Sequence, residues 1–347
     1  MNDTETFCKI DQTESLTNQS CQNVTSPPQG YVDVTTFTHV LPSVYGIMCS
    51  VGVLANGLVI YAVASCAKKK LSDIYVVNLA VADMFFLLVM PFNIHQLVRD
   101  RQWVFGNFMC KAVVVVDVSN QFTTVWIVTV LCVDRYVAIV HPTSAKRTIP
   151  WAIVTNILVW FCSFLLTVPV MMYAKVVHRN HLKMCMMYLD GPEDMYWYTL
   201  YQSILGFMIP LIIISTFYSL ALYHVFSSMQ RVKRKQTVWA KRATKMVVMI
   251  IALFLICWSP YHVIQVINLN NNAPTITFVY AYNISICLSY FHSCINPIML
   301  LIFAQNYREH LFHRNVLHSV KHASKTTVVK TAGTHVTNEP SYRCTVI

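Results

Sequence analysis

Asp117 and Arg135 stand near the two ends of one apolar run, eighteen residues apart. In a helix rising about 1.5 Å per residue they would be separated by about 27 Å, close to the thickness of a bilayer's hydrocarbon core. Gln121, Thr124, Val128 and Leu131 fall between them at spacings of three or four residues, which puts all six on one helical face. A charged side chain at the centre of a membrane helix costs about 3 kcal/mol on insertion scales, so each such group needs a use or a partner and must turn away from lipid. Asp83, in the LAVAD segment of another run, carries the same cost. Arg135 follows Asp134 and precedes Tyr136, so a carboxylate and a guanidinium sit side by side where the apolar run stops.

Other polar and aromatic residues share the helical spacing. Tyr290, Ser293 and Asn296 lie on one stripe, and Trp258, Tyr261, His262 and Gln265 on another. With Asp117 and Gln121 they imply a polar, aromatic cavity open to one side of the bundle. The Ser, Thr and Asn side chains have a plainer reading as interhelical hydrogen bonds worth about 0.6 kcal/mol each, but Asp117 and Arg135 are too costly for that use. No residues support bond-making chemistry, since the HExxH, P-loop and paired CxxC signatures are absent. The chain reads as a binding protein and not an enzyme.

The elements that must hold these residues follow from composition. The 347-residue chain is 55% hydrophobic and 12% charged, outside the range of ordinary soluble domains. Predominantly apolar runs long enough to cross a membrane as helices occur at about 40–64, 74–98, 109–133, 151–174, 197–226, 243–267 and 276–303. The expected architecture is an all-α membrane protein, a seven-transmembrane helix bundle over 40–303. The two flanking tails are too short for a catalytic domain.

Basic residues set the orientation, because Lys and Arg are retained on the cytoplasmic side. Lys68, Lys69 and Lys70 follow the first run and Lys146 and Arg147 the third. Arg231, Lys233, Arg234, Lys235, Lys241, Arg242 and Lys245 surround the gap between the fifth and sixth. The tail over 1–39 carries Asp3, Glu5, Asp11, Glu14 and Asp33 against the single Lys9, with glycosylation sequons at Asn2, Asn18 and Asn23. It is expected outside, as a glycosylated extracellular tail. A fourth sequon, at Asn283, falls inside the seventh run and is discounted. No apolar segment precedes residue 40, so the first span is expected to serve as an uncleaved insertion signal. The net charge of +11 is mostly cytoplasmic flank, and no soluble basic face is left to bind nucleic acid.

Of the twelve cysteines, Cys110 at the outer end of the third run and Cys185 in the loop after the fourth share the oxidising compartment and are expected to pair. Cys8 and Cys21 either form a second bridge or remain free or externally paired. Cys49, Cys132, Cys162, Cys257, Cys287 and Cys294 read as small buried hydrophobes.

Asp134-Arg135-Tyr136 after the third run, Cys257-Trp258-Ser259-Pro260 in the sixth, Asn296-Pro297 in the seventh, Asn56 in the first and Asp83 in the second resemble the rhodopsin-type (class A) family of G-protein-coupled receptors over residues 40–313. The resemblance implies that Arg135, held by Asp134 at rest, is freed on activation to face a heterotrimeric G protein. Tyr136, Trp258, Pro260, Asn296 and Pro297 belong to the same activation machinery. It implies a sodium pocket at Asp83, Thr124 and Asn296, with sodium as an allosteric modulator and no cofactor. It also implies a short amphipathic eighth helix along the inner membrane leaflet at 304–313, and a cytoplasmic tail over 314–347 that is disordered until a receptor kinase or arrestin engages it. Localisation would be the plasma membrane.

Two seven-span alternatives fit the residues less well. A retinal protein needs a lysine in the seventh span, and 276–303 contains none. A transporter or channel usually shows half-helices or a continuous polar path, which the few intramembrane charges here do not make.

For the ligand, the positions eight and four residues before Pro210, where receptors for catechol amines carry hydroxyls, are Gln202 and Gly206, which favours a peptide. The segments DVSNQF (117–122), MYWYTLY (195–201), PYHVIQVINL (260–269) and SICLSY (285–290) are similar to the melanin-concentrating hormone receptors, nearer the second subtype. The ligand implied is a disulfide-cyclised peptide hormone whose arginine would pair with Asp117. Gln121, Gln265, Tyr290, Tyr261 and His262 would complete the site; another basic peptide of the somatostatin type is the alternative. One position departs from the family: Leu300 stands where the NPxxY motif has tyrosine. Either a hydroxyl contact is missing from the active state, or Leu300 packs against neighbouring spans.

Overall fold

The computed structural model describes residues 39–65, 71–99, 102–141, 148–179, 182–189, 191–228, 234–269 and 275–303. Asn2, Asn18, Asn23, Cys8, Cys21, Cys344 and the segment 304–313 lie outside the described residues. The first four spans are the helices α1 (Leu41–Ala64), α2 (Leu71–Val98), α3 (Gly106–Val140) and α4 (Ile149–Tyr173). The fifth is built of α5 (Pro192–Ser203), a π-helical turn (Ile204–Met208) and α6 (Ile209–Ser228). The sixth is α7 (Arg234–Asn268) and the seventh α8 (Ile276–Phe303). All seven contain stretches long and apolar enough to cross a membrane.

Helix ends run past the apolar runs where polar residues continue the backbone pattern. Hydropathy stops the third run at Val133, yet α3 carries on through Asp134, Arg135 and Tyr136 to Val140. A membrane limits which residues face lipid, whereas a helix needs only its i to i−4 hydrogen bonds. The sixth helix likewise begins at Arg234, within the basic segment. Thr148 caps α4, its hydroxyl accepting from Trp151 N at 3.4 Å, with Pro150 in the first turn where its missing N–H costs nothing.

The third span is the most buried of the seven and runs through the centre of the bundle. Side chains such as Leu54, Ile157, Phe161 and Ile256 point outward, as lipid contact requires. Inside, Tyr75, Leu79, Ile127, Val128, Leu131, Ala152 and Ile214 join the second, third, fourth and fifth spans. Val59, Ala62, Val63, Val76, Ala80 and Leu300 join the first, second and seventh. Leu300 is thus buried in an apolar cluster.

Between α4 and α5 lies an antiparallel hairpin, β1 (Ala174–Arg179) and β2 (Leu182–Met187), with Val176 opposite Cys185. The Cys110–Cys185 disulfide pins β2 to the start of α3. Around it Trp103 N donates to Lys183 O at 2.6 Å, Gln96 Nε2 to Cys185 O at 3.1 Å, and Val176 N to Asn107 Oδ1 at 3.1 Å. Gly106, at φ 77°, occupies the left-handed region as the chain turns into α3, and its carbonyl accepts from Trp103 Nε1 at 2.8 Å. The hairpin covers the end of the bundle that holds Asp117.

Candidate functional site

The second, third, fifth, sixth and seventh spans converge below the hairpin on a cavity of about 120 Å³, enough for several waters or the end of one long side chain. Asp117, Asn120 and Gln121 enter it from α3, Trp258 and Tyr261 from α7, and Tyr282 and Tyr290 from α8. The Tyr290 hydroxyl donates to Asp117 Oδ2 at 2.9 Å. The Tyr290 ring packs edge-on against Phe86 with centroids 4.9 Å apart, and against Tyr45 at 5.4 Å. One carboxylate therefore lies in a wall of aromatic faces, and among the described residues no basic side chain lines the cavity. A cation with several N–H donors would meet both a charge partner and aromatic surfaces here.

Of the site residues expected from sequence, Asp117, Gln121, Tyr261 and Tyr290 are brought together around this cavity. Gln265 and His262 do not line it. Gln265 donates to the Tyr261 hydroxyl at 2.9 Å. His262 is buried behind Gln121, its Nε2 3.2 Å from Gln121 Nε2 and its Nδ1 3.3 Å from Ser203 Oγ. Gln121 Oε1 in turn accepts from Gln202 Nε2 at 2.7 Å, and Gln202 lines the cavity.

A second cluster lies deeper. Thr124 Oγ1 is 3.4 Å from Asp83 Oδ1 and 3.2 Å from Asn120 Oδ1, and Asn120 Nδ2 donates to Ser293 Oγ at 3.4 Å. Ser293 and Asn296 also border the Asp83 carboxyl, while Asp83 Oδ2 is buried without a partner in hydrogen-bond geometry among the described residues. Asn296 Nδ2 is 3.2 Å from His292 Nδ1. Asn120 and Ser293 also line the cavity that holds Asp117, so the two clusters form one continuous polar column. Asn56 joins it through Nδ2, which donates to Ser293 O at 3.1 Å and Gly52 O at 3.0 Å.

At the other end of α3, Asp134 and Arg135 are both buried, and Tyr136 meets Phe217 edge-on at 5.2 Å. Trp258 sits between the levels, beside His262 and His292 at 6.1 Å each and edge-on to Tyr261 at 6.2 Å. Pro260 and Pro297 interrupt α7 and α8 nearby.

Sequence reasoning passed over Asn120, Ser203, Tyr282 and His292. Two of them had a signal: Asn120 lies one turn from Asp117 and Thr124, and His292 one turn before Asn296. Ser203 and Tyr282 depend on how the fifth and seventh spans are rotated, which spacing within one helix does not give.

The chain matches the seven-transmembrane receptors of the rhodopsin family over residues 55–300. It is 37% identical over 311 residues to melanin-concentrating hormone receptor 1 of Sus scrofa, covering 86% of this chain and 87% of that protein. With the human (Homo sapiens) receptor 1 the identity is 36% over 316 residues, 86% of this chain and 87% of the relative. With melanin-concentrating hormone receptor 2 of Macaca fascicularis it is 40% over 286 residues, 79% of this chain and 84% of the relative.

Proposed function

Because the chain belongs to the rhodopsin family of seven-transmembrane receptors, we propose that it is a multi-pass plasma-membrane receptor for a peptide hormone, melanin-concentrating hormone, and signals through heterotrimeric G proteins. The observation that carries the ligand class is Asp117, an acid in an aromatic cavity whose lining, among the described residues, holds no basic side chain. An arginine side chain of the peptide would place its guanidinium there in a forked, charge-assisted contact with the carboxylate, its plane against the tyrosines. Gln121, Tyr261 and Tyr290 complete that contact in this reading. The similarity to melanin-concentrating hormone receptors over most of the chain supports the identity of the peptide.

Signal transfer follows the polar column. The oxygens of Asp83, Thr124 and Asn296 suit a hard monovalent cation, and the unpartnered Asp83 Oδ2 is the group such an ion would satisfy. Sodium there would favour the resting state. Asp134 and Arg135 form the latch at the G-protein end, with the N-terminal tail outside and the basic segment before α7 inside. Receptor kinases and arrestin are the partners expected for the tail over 314–347, and membrane lipid for the segment 304–313.

The deciding experiment applies melanin-concentrating hormone to cells displaying the receptor and reads cyclic AMP and calcium together. A response in either supports the reading. Silence in both, with the receptor at the surface, points to another basic peptide such as one of the somatostatin type.

A further inference from the structure

The polar groups behind the cavity form a chain with a direction. Gln121 presents Nε2 to His262 and Oε1 to Gln202. An amide nitrogen can only donate, so His262 Nε2 must accept, and the imidazole proton must sit on Nδ1, where it donates to Ser203 Oγ. At the other end Gln202 spends one N–H on Gln121, which turns its carbonyl away from Gln121, and Gln202 itself lines the cavity. Only with both amides turned over would the direction reverse: Ser203 would donate to Nδ1, Nε2–H to Gln121, and Gln202 would turn an N–H toward the cavity. The tautomer of His262 therefore decides whether the amide wall opposite Asp117 offers an acceptor or a donor.

The surroundings hold His262 to this task. Its ring stacks on Phe207, centroids 4.9 Å apart and planes 24° apart, within the π-helical turn that begins just after Ser203. Tyr261 closes on it edge-on at 5.2 Å. Gly206 of the same turn leaves the room that the Gln121 amide fills, since a Cβ there would stand 3.3 Å from Gln121 Nε2.

Resting on the reading of the cavity as the seat of a ligand's guanidinium, we propose that His262 is a positioning residue. Without touching the ligand, it fixes the Gln121 and Gln202 amides with the carbonyl toward the cavity, so that the pocket selects ligands rich in N–H donors over isosteric ligands that present an acceptor.

The test uses the full-length receptor in membranes with two probes, melanin-concentrating hormone and the same peptide with its arginine replaced by citrulline, whose urea exchanges an N–H donor for a carbonyl. The ratio of their affinities is measured for wild type, His262→Phe, His262→Gln and Ser203→Ala. Phenylalanine keeps the ring and removes both nitrogens, so the ratio should shrink by about tenfold. Glutamine can still accept from Gln121, so the ratio should stay near wild type. Ser203→Ala, too small a change to block folding, releases the tautomer and should shrink the ratio by a few-fold. A residue that only supports packing would weaken both probes alike and leave the ratio unchanged, and that result would overturn the proposal. If the wild type binds neither peptide, the hormone reading falls instead. A double-mutant cycle of His262→Phe with Gln121→Leu on the melting temperature of the ligand-free receptor then decides: non-additive shifts support the link, and additive ones reject it.

Discussion

The Tyr290 hydroxyl donates to Asp117 Oδ2 at 2.9 Å, tying the seventh span to the third through the one carboxylate that lines the cavity among the described residues. That bond gives Asp117 a partner in the absence of ligand, and it presents the carboxylate in a fixed orientation to an arriving cation. Binding must therefore either share Asp117 with Tyr290 or draw the two helices into a new arrangement.

Replacing Asp117 by Asn keeps the shape and removes the charge. Removing one partner of a buried charged pair costs about 2–5 kcal/mol, so peptide affinity should fall roughly 30- to 4,000-fold at matched surface expression. Tyr290→Phe removes a single hydrogen bond to a charged group, a contact worth about 1.5–3 kcal/mol, and should cost less than Asp117→Asn. Displacement of labelled peptide from membranes measures both, and unchanged affinity in Asp117→Asn would place the cation elsewhere.

Agonist affinity should decline as sodium replaces a large organic cation at constant ionic strength, because the ion would stabilise the resting arrangement around Asp83. Asp83→Asn should remove the dependence. A mutant that keeps the wild-type sodium response would show that Asp83 does not hold the ion.

Leu300 packs with Val59, Ala62, Val63, Val76 and Ala80. Leu300→Ala should cost about 2–5 kcal/mol of stability through the cavity it leaves, read as a lower melting temperature of the detergent-solubilised receptor. Leu300→Tyr introduces a hydroxyl into that apolar cluster and should lower the melting temperature without raising ligand-free signalling. Raised signalling at matched expression would instead show that a missing hydroxyl limits activation.

Breaking the Cys110–Cys185 bridge by Cys185→Ser frees β2 from the third span. The bridge closes 75 residues of chain, and losses of about 2–5 kcal/mol are usual for native disulfides. Surface expression and peptide binding should both drop, and brief exposure of intact cells to a membrane-impermeant reductant should reduce binding without changing expression.

The seven spans were legible because a membrane helix is a matter of local composition: twenty apolar residues declare themselves whatever packs beside them. Compartment narrowed the disulfide to four cysteines, Cys8, Cys21, Cys110 and Cys185, and the position of Cys110 at the outer end of the third span and of Cys185 in the loop after the fourth favoured the pair that forms. The hairpin was not, because AKVVHR and LKMCMM are six-residue strands with no clean alternation, stabilised by the disulfide and by Trp103 and Gln96 from distant segments. In the site, Asp117 was legible from the cost of its charge. His262 was not correctly placed: it is adjacent to Tyr261 in sequence, and only the rotation of α7 against α3 and α5 decides that Tyr261 lines the cavity while His262 stands behind Gln121.

The π-helical turn at Ile204–Met208 has a consequence for how such a chain can change. A turn closed by i to i+5 bonds holds about one residue more than an α-helical turn, and one residue corresponds to about 100° of azimuth. The outer half of the fifth span, with Gln202 and Ser203, is thereby phased independently of the inner half, with Phe217. Deleting one residue within 204–208 would let the turn close as an ordinary α-helical one with both halves kept near their present azimuths, whereas deleting one from the regular turns on either side would swing Gln202 and Ser203 by about 100° relative to Ile209–Ser228. The fifth span can in this way absorb a change of length at a single turn, a change that a position-by-position comparison of residues would misread as several substitutions.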